Sequence, residues 1–239
     1  MPNRVENVTV AEEAVLALAE LLGLDALAAE DLRTSTSEAS KNVVFHAYEG
    51  TEGPLELELH TLPGAVEVVV RDHGIGIRPH VGERTLPHNG IGLPIVHAVC
   101  ESVLYRNLPD GGTEVRMRIA IPGLGPLPVP AEHAPACDLR GATDPKQTIQ
   151  LALAPAALAG PLLPRLARGL AGRGPDAARW ASEARALADT ATQGGAGDPA
   201  VGGWVELVAE RFAGGVELRL ARPGGEGEPA RLRLQGPPA

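Results

Sequence analysis

The chain has 239 residues, 44% of them hydrophobic and 21% charged, enough apolar material for one large globular domain or two ordinary ones. A net charge of −9 without clustered Lys and Arg argues against nucleic acid as a main partner, because phosphate binding needs such clusters. Aromatic residues make up 3%, so the core must be built from Leu, Val and Ala.

In chain order, Val10–Leu24 carries Val15, Leu16, Leu18, Leu21 and Leu22 at helical spacing. Ser37–Tyr48 predicts a second helix, with Ala39, Val43, Val44 and Ala47 on one stripe and Glu38, Asn42 and Phe45 on another. Leu55–His60 and Val66–Arg71 read as strands joined by a hairpin turn at Leu62-Pro-Gly-Ala65, the second nearly all β-branched. Asp72–Gly76 breaks that strand with two glycines, and the polar Arg78–Gly90 reads as a mobile loop. Leu93–Leu104 returns to helical spacing, with Ile95, Val96, Val99 and Val103 inward. Asn107–Gly112 reads as a turn and Thr113–Ile121 as a final strand; the Pro- and Gly-rich residues that follow read as a linker. The sum is an α/β fold, an α+β two-layer sandwich with helices on one face of a mixed, mainly antiparallel sheet. Domain one is placed at 1–122 and the linker at 123–139.

Three segments in this domain carry chemistry. Glu38 and Asn42, four apart on a helix, present a carboxylate and an amide oxygen to one point, an arrangement suited to Mg²⁺. Asp72, ending a buried strand, can accept a hydrogen bond from an exocyclic amine such as that of adenine, and Gly74 and Gly76 let the backbone come close to a base. Gly90 and Gly92 open a helix whose free N–H groups and positive dipole end favour phosphate. Each alone is weak; a polar helix face or a turn after a strand is the commoner meaning of any one of them.

Together the three resemble the N, G1 and G2 boxes of the GHKL ATPase superfamily. The run Ser37-Glu-Ala-Ser-Lys-Asn-Val-Val-Phe-His-Ala-Tyr48 is most similar to its anti-sigma-factor serine-protein kinase branch. The resemblance covers residues ~8–121. It implies ATP and Mg²⁺ as cofactors, Glu38 as general base and Asn42 as the metal ligand. It further implies Asp72 as the adenine reader, Gly74, Gly76, Gly90, Gly92 and Leu93 shaping the pocket and lid, His46 as the family's histidine, and Thr113 backing the adenine. Phe45 stands where a basic residue is common. The implied activity is serine/threonine phosphorylation of a small regulatory protein in a partner switch, with an anti-sigma antagonist-type protein and a sigma factor as partners. An ATP-gated protein-binding module without turnover is the alternative, and a structural α/β protein the third reading.

In the second half, Gly214-Gly-Val-Glu-Leu-Arg-Leu-Ala-Arg-Pro-Gly224 matches Gly64-Ala-Val-Glu-Val-Val-Val-Arg-Asp-His-Gly74 at four positions, and Ser182-Glu-Ala matches Ser37-Glu-Ala. The matches fall in one order, so residues 140–239 are expected to be a degenerate repeat of the first fold; chance similarity between Ala- and Gly-rich segments is the alternative. Thr148–Leu153 would be its leading strand. Leu187 then stands for Asn42 and Arg222 for Asp72, so the copy is expected to lack ATP binding. Kinases of this branch commonly act as dimers, so a homodimer or an intramolecular pseudo-dimer is expected. Two cysteines, Cys100 and Cys137, no signal-peptide stretch at Met1–Glu6 and an apolar run cut by Pro155 and Pro161 lead to the expectation of a cytoplasmic protein with no membrane contact.

Overall fold

The computed structural model describes residues 1–77, 92–125, 148–153, 158–171, 175–193, 205–212, 214–221 and 229–235. The chain divides into two compact units, one built from residues 2–19 and 23–127 and the other chiefly from 128–239. The expected loop at Arg78–Gly90 and the linker from residue 126 onward lie outside the described residues.

The N-terminal unit opens with helices α1 (Val5–Leu21) and α2 (Ala26–Asn42), the latter running into a π-helical segment, Val43–Ala47. Asp25 starts α2 by accepting the Ala28 N–H at 2.9 Å, which satisfies one of the orphan donors of a helix start. The helix thus begins eleven residues before the apolar pattern announces it. Strands β1 (Leu55–Leu62) and β2 (Ala65–Asp72) form the expected hairpin, followed by α3 (Gly92–Val99), β3 (Ser102–Asn107) and β4 (Thr113–Ala120). The sheet order is β1-β2-β4-β3, every described pairing antiparallel. β3 corrects the sequence reading, which continued the third helix to Leu104. Val99 and Val103 keep helical spacing, but only Cys100 and Glu101 separate helix from strand.

Helices and sheet bury an aliphatic core. Val66, Val68 and Val70 of β2 and Met117 and Ile119 of β4 alternate toward it, joined by Val15 and Leu32 from the helices, all at most 2% exposed. Each such side chain removed from water contributes roughly 1.5–3 kcal/mol. The other sheet face is polar. Val69, fully buried there, sits between Glu58 of β1 and Arg116 of β4, whose long stems cover it.

The C-terminal unit runs β5 (Thr148–Leu153), α4 (Ala159–Ala171), α5 (Ala177–Gln193), β6 (Val205–Phe212), β7 (Gly215–Ala221) and β8 (Ala230–Gln235), with sheet order β5-β6-β7-β8. It too is a two-layer α/β arrangement with antiparallel pairing. Leu162, Leu163 and Leu166 of α4 and Trp180, Ala184 and Ala188 of α5 are buried, as are Leu207, Leu218 and Leu234 of the sheet.

The two hairpins share a register. Adding 150 turns the pair Glu56↔Arg71 into Glu206↔Ala221 and Leu62↔Ala65 into Phe212↔Gly215. Both close with two residues, and Gly64 and Gly214 both adopt positive φ, 72° and 87°. The next ladder agrees as well. Glu67 faces Arg118 and Val69 faces Arg116, while Glu217 faces Arg233 and Arg219 faces Arg231. The Ser-Glu-Ala match is less regular, since Ser37 lies in the C-terminal half of α2 and Ser182 in the N-terminal half of α5.

Candidate functional site

The turn after β2, which carries Asp72, Gly74 and Gly76, packs where α2 and its π segment end. One extra residue in that turn ends the helix at Tyr48 and leaves the Ala47 carbonyl to accept the Ile75 N–H at 2.9 Å. This bond docks the turn after β2 onto the helix end. A Cβ on Gly74 would lie 1.9 Å from the Ala47 oxygen, so no other residue fits there. On the other side, Gly112 (φ 95°) lies so close to Asp72 that a Cβ would be 2.0 Å from its carbonyl oxygen. The strand end is gripped from two directions.

Asp72 is 5% exposed. Its Oδ1 accepts the Gly74 N–H at 2.9 Å and the Thr113 N–H at 3.2 Å. Among the described residues Oδ2 has no such partner, so one carboxylate oxygen is fixed by backbone and the other is left to accept from an outside donor. Thr113 therefore meets Asp72 through its main chain as the first residue of β4.

Glu38 and Asn42 lie on α2 as expected, both partly exposed. The Glu38 carboxylate, 26% exposed, is paired with the Lys41 ammonium at 2.8 Å. The Asn42 amide makes no hydrogen bond among the described residues, which leaves its oxygen available to a cation. No group of three His, Cys, Asp or Glu capable of holding a metal occurs among the described residues. A Mg²⁺ ion that keeps its waters and binds phosphate oxygens needs only one or two protein oxygens, so this sparse donor set fits it. His46 and Phe45 lie in the π segment, both exposed, Phe45 by 62%, with their rings 6.5 Å apart. Gly92 and Leu93 begin α3. Gly76 has φ 72° and lies beside Asn107. Gly90 lies outside the described residues.

Two residues to which the sequence reading gave no role hold the site. Tyr48 reaches from the helix end to the hairpin, accepting the His73 N–H at 2.8 Å and donating to the Pro54 carbonyl at 2.5 Å. Asn107, read as part of a turn, ends β3; its Oδ1 accepts the Ile77 N–H at 2.7 Å and its Nδ2 donates to the Ile77 carbonyl at 3.1 Å. Tyr48 closes the run that carries the resemblance, but its contacts, like those of an asparagine before a proline turn, carry no local signal until the strands around them are placed.

On the polar sheet face, Glu114 is fully buried among guanidiniums, with Arg71 at 2.5 Å and Arg106 and Arg116 at 2.7 Å. Burial raises its pKa, but hydrogen bonds from Arg116, Arg71 and Arg106 outweigh that and bring it down to about 2. Arg71 also forks onto Glu58, tying β1, β2, β3 and β4 into one network directly behind the strand that ends in Asp72.

No helix among the described residues is long and apolar enough to cross a membrane. The model of the histidine kinase-like ATPase domain matches residues 1–119, the helices and sheet just described. The chain is 31% identical over 97 residues to the anti-sigma F factor of Clostridium botulinum (strain Eklund 17B), covering 37% of this chain and 68% of that protein. It is 26% identical over 129 residues to the serine-protein kinase RsbW of Bacillus cereus (strain AH820), covering 49% of this chain and 79% of the relative. A match of 26% over 96 residues links it to the anti-sigma F factor of Clostridium kluyveri. With its first 119 residues matching that domain, and a relative 31% identical covered over 68% of its length, the protein belongs to the histidine kinase-like ATPase family, in its anti-sigma-factor serine-protein kinase branch.

Proposed function

We propose that the chain is an ATP-dependent serine/threonine-protein kinase that phosphorylates a small regulatory protein in a cytoplasmic partner switch. The observation that carries this reading is Asp72, buried, with one oxygen held by two backbone N–H groups and the other left for an amine. Adenine offers such an amine at its six position. Asn42, at the end of α2, would supply an oxygen to Mg²⁺, which neutralises phosphate charge when bound. Glu38, one turn earlier, would accept the proton of the attacking serine hydroxyl. The partners in this reading are an anti-sigma antagonist-type protein as substrate and a sigma factor as the second ligand, in line with the relatives' names.

The test is transfer of ³²P from ATP to a serine of such a partner. Transfer is expected with the wild-type chain and lost in Glu38→Ala and in Asn42→Ala. Tight ATP binding without transfer would instead support the second reading, an ATP-gated binding module. The Lys41 ion pair that occupies the Glu38 carboxylate favours that reading, as does the exposed Phe45.

Residues 140–239 are read as a degenerate copy of the same fold that takes no nucleotide. The shared hairpin register supports this, as does the match of Arg116 and Arg118 to Arg231 and Arg233. Titration of the full chain with Mg-ATP is then expected to saturate at one nucleotide per chain; two would overturn the assignment.

A further inference from the structure

We propose that Tyr48 is the positioning residue that sets adenine specificity, because its hydroxyl replaces the last rung of the β1–β2 hairpin and so holds Asp72 in place. The inference deepens the nucleotide-site reading above and rests on it.

The hairpin closes with Leu62 opposite Ala65, and the same register places Pro54 opposite His73, one step beyond Leu55↔Asp72. In an antiparallel ladder, hydrogen-bonded pairs recur every second residue, and a two-residue turn is closed by such a pair. Counting back from the turn, Pro54 and His73 occupy a hydrogen-bonding position. Pro54 has a carbonyl but no N–H, so this rung can hold a single bond, from His73 N–H to Pro54 carbonyl. The Tyr48 phenol is inserted there instead. It accepts the His73 N–H at 2.8 Å and donates its own O–H to the Pro54 carbonyl oxygen at 2.5 Å.

The inserted hydroxyl has two effects. It holds the strands apart at their open end, so that the chain leaves β2 at Asp72 and turns into Gly74 rather than continuing the ladder. It also ties that end to the π segment whose Ala47 carbonyl holds Ile75. Asp72 is then bracketed, with His73 fixed by Tyr48, Gly74 bound to Oδ1, and Thr113 bound to the same oxygen. The phenol is suited to the task. Burial is the largest influence on it and pushes its pKa up to about 12, so it stays a donor, and its ring lies against Gly53. The aim of Oδ2 therefore depends on a hydroxyl six residues beyond Asn42, from the far end of the run that carries the resemblance.

Adenine presents an amine where guanine presents a carbonyl oxygen, so a well-aimed carboxylate separates the two, and a loosely held one does so less. The experiment is calorimetric titration of the full chain with Mg-ATP and with Mg-GTP, for wild type, Asp72→Asn and Tyr48→Phe, alongside thermal melting. Tyr48→Phe is expected to weaken ATP about tenfold, the size of one lost positioning bond, and to shrink the ATP-over-GTP preference by a similar factor. Asp72→Asn should lose both more completely. Should Tyr48→Phe keep affinity and preference while Asp72→Asn loses them, the proposal fails and the nucleotide site stands. Equal loss of ATP and GTP with a lowered melting temperature would also overturn it, since that marks a merely structural residue. A wild-type chain that binds neither nucleotide removes the site reading and the proposal together. Independently of any variant, the His73 amide in wild type should exchange slowly with solvent; exchange at the rate of a free amide would overturn the inserted rung.

Discussion

The hairpin β1–β2 and the hairpin β6–β7 have one register, one turn length and one turn glycine, yet they end differently. After β2 the chain spends 40 residues before β4 begins; after β7 it spends eight before β8. Between residues that match in both ladders the second path is 35 residues shorter, which leaves no room for a helix and a strand such as α3 and β3. The interiors differ in parallel. Among the described residues, every buried polar side chain lies in the N-terminal unit, including Asp72, Glu114 and the serines of α2. The described core of the C-terminal unit is apolar. A sheet needs only aliphatic burial to persist, whereas a buried polar group costs free energy unless it is paired, as Asp72 and Glu114 are and the hydroxyls of Thr36 and Ser40 are not.

The strongest way to break this comparison is to convert one end into the other. Arg222 stands in sequence where Asp72 does. Asp72→Arg puts a cation against the adenine amine and removes the acceptor of two backbone N–H groups, so ATP affinity should fall by more than about 100-fold. The reverse change, Arg222→Asp, should create no second site, because the segment that would complete it is absent. Equilibrium dialysis with Mg-ATP checks both; a second equivalent of nucleotide in Arg222→Asp would refute the comparison. Gly74→Ala is next. Its Cβ would collide with the Ala47 oxygen, and the turn after β2 would have to move, at a cost of about 3 kcal/mol. Urea unfolding measures that cost.

Much of this was legible in the sequence, for a physical reason. Apolar period and turn chemistry are local, so the β1–β2 hairpin, the strand ending at Asp72 and the strand beginning at Thr113 could be read directly. What escaped depends on distant chain. The first half of α2 buries only Leu32, and the next buried residues are Ser35 and Thr36 rather than an apolar stripe, so its period is silent. β3 was absorbed into a helix because Val99 and Val103 satisfy both patterns, and only pairing with β4 decides between them. Tyr48 and Asn107 act on backbone groups 25 and 30 residues away, a relation that no local pattern encodes.

The polar sheet face offers a pH test of the same contrast. The Glu114 carboxyl is held near 2, below its ordinary 4.5, by three guanidiniums acting against its burial. A group with a lowered folded pKa stabilises fully above its unfolded value and loses that contribution as pH falls through the folded one. At pH 7, Glu114→Gln should cost roughly 2 kcal/mol, since Arg71, Arg106 and Arg116 are partly exposed and keep some hydration. The difference from wild type should shrink between pH 4.5 and about 2. Amide exchange in β2 and β4 follows the N-terminal unit alone. A difference that stays constant across that range would mean the carboxylate charge is not what holds the network.

The smallest expected effect concerns Asn107, whose amide pairs with both backbone groups of Ile77 much as a neighbouring strand would. β3 has no counterpart in the shorter β7–β8 path, so this clamp belongs to the segment that distinguishes the two units. Asn107→Ala leaves the Ile77 N–H and carbonyl to water, which at this exposed position costs about 1 kcal/mol or less. Melting of the whole chain should barely move, while the Ile77 amide should exchange faster and ATP affinity should fall about threefold, because Gly76 loses the contact beside it. Asn107→Asp separates geometry from hydrogen-bond count: it keeps the acceptor for Ile77 N–H but repels the Ile77 carbonyl. Affinity in Asn107→Asp equal to that of Asn107→Ala would show that the clamp works only when both bonds are made, as a strand pairing does.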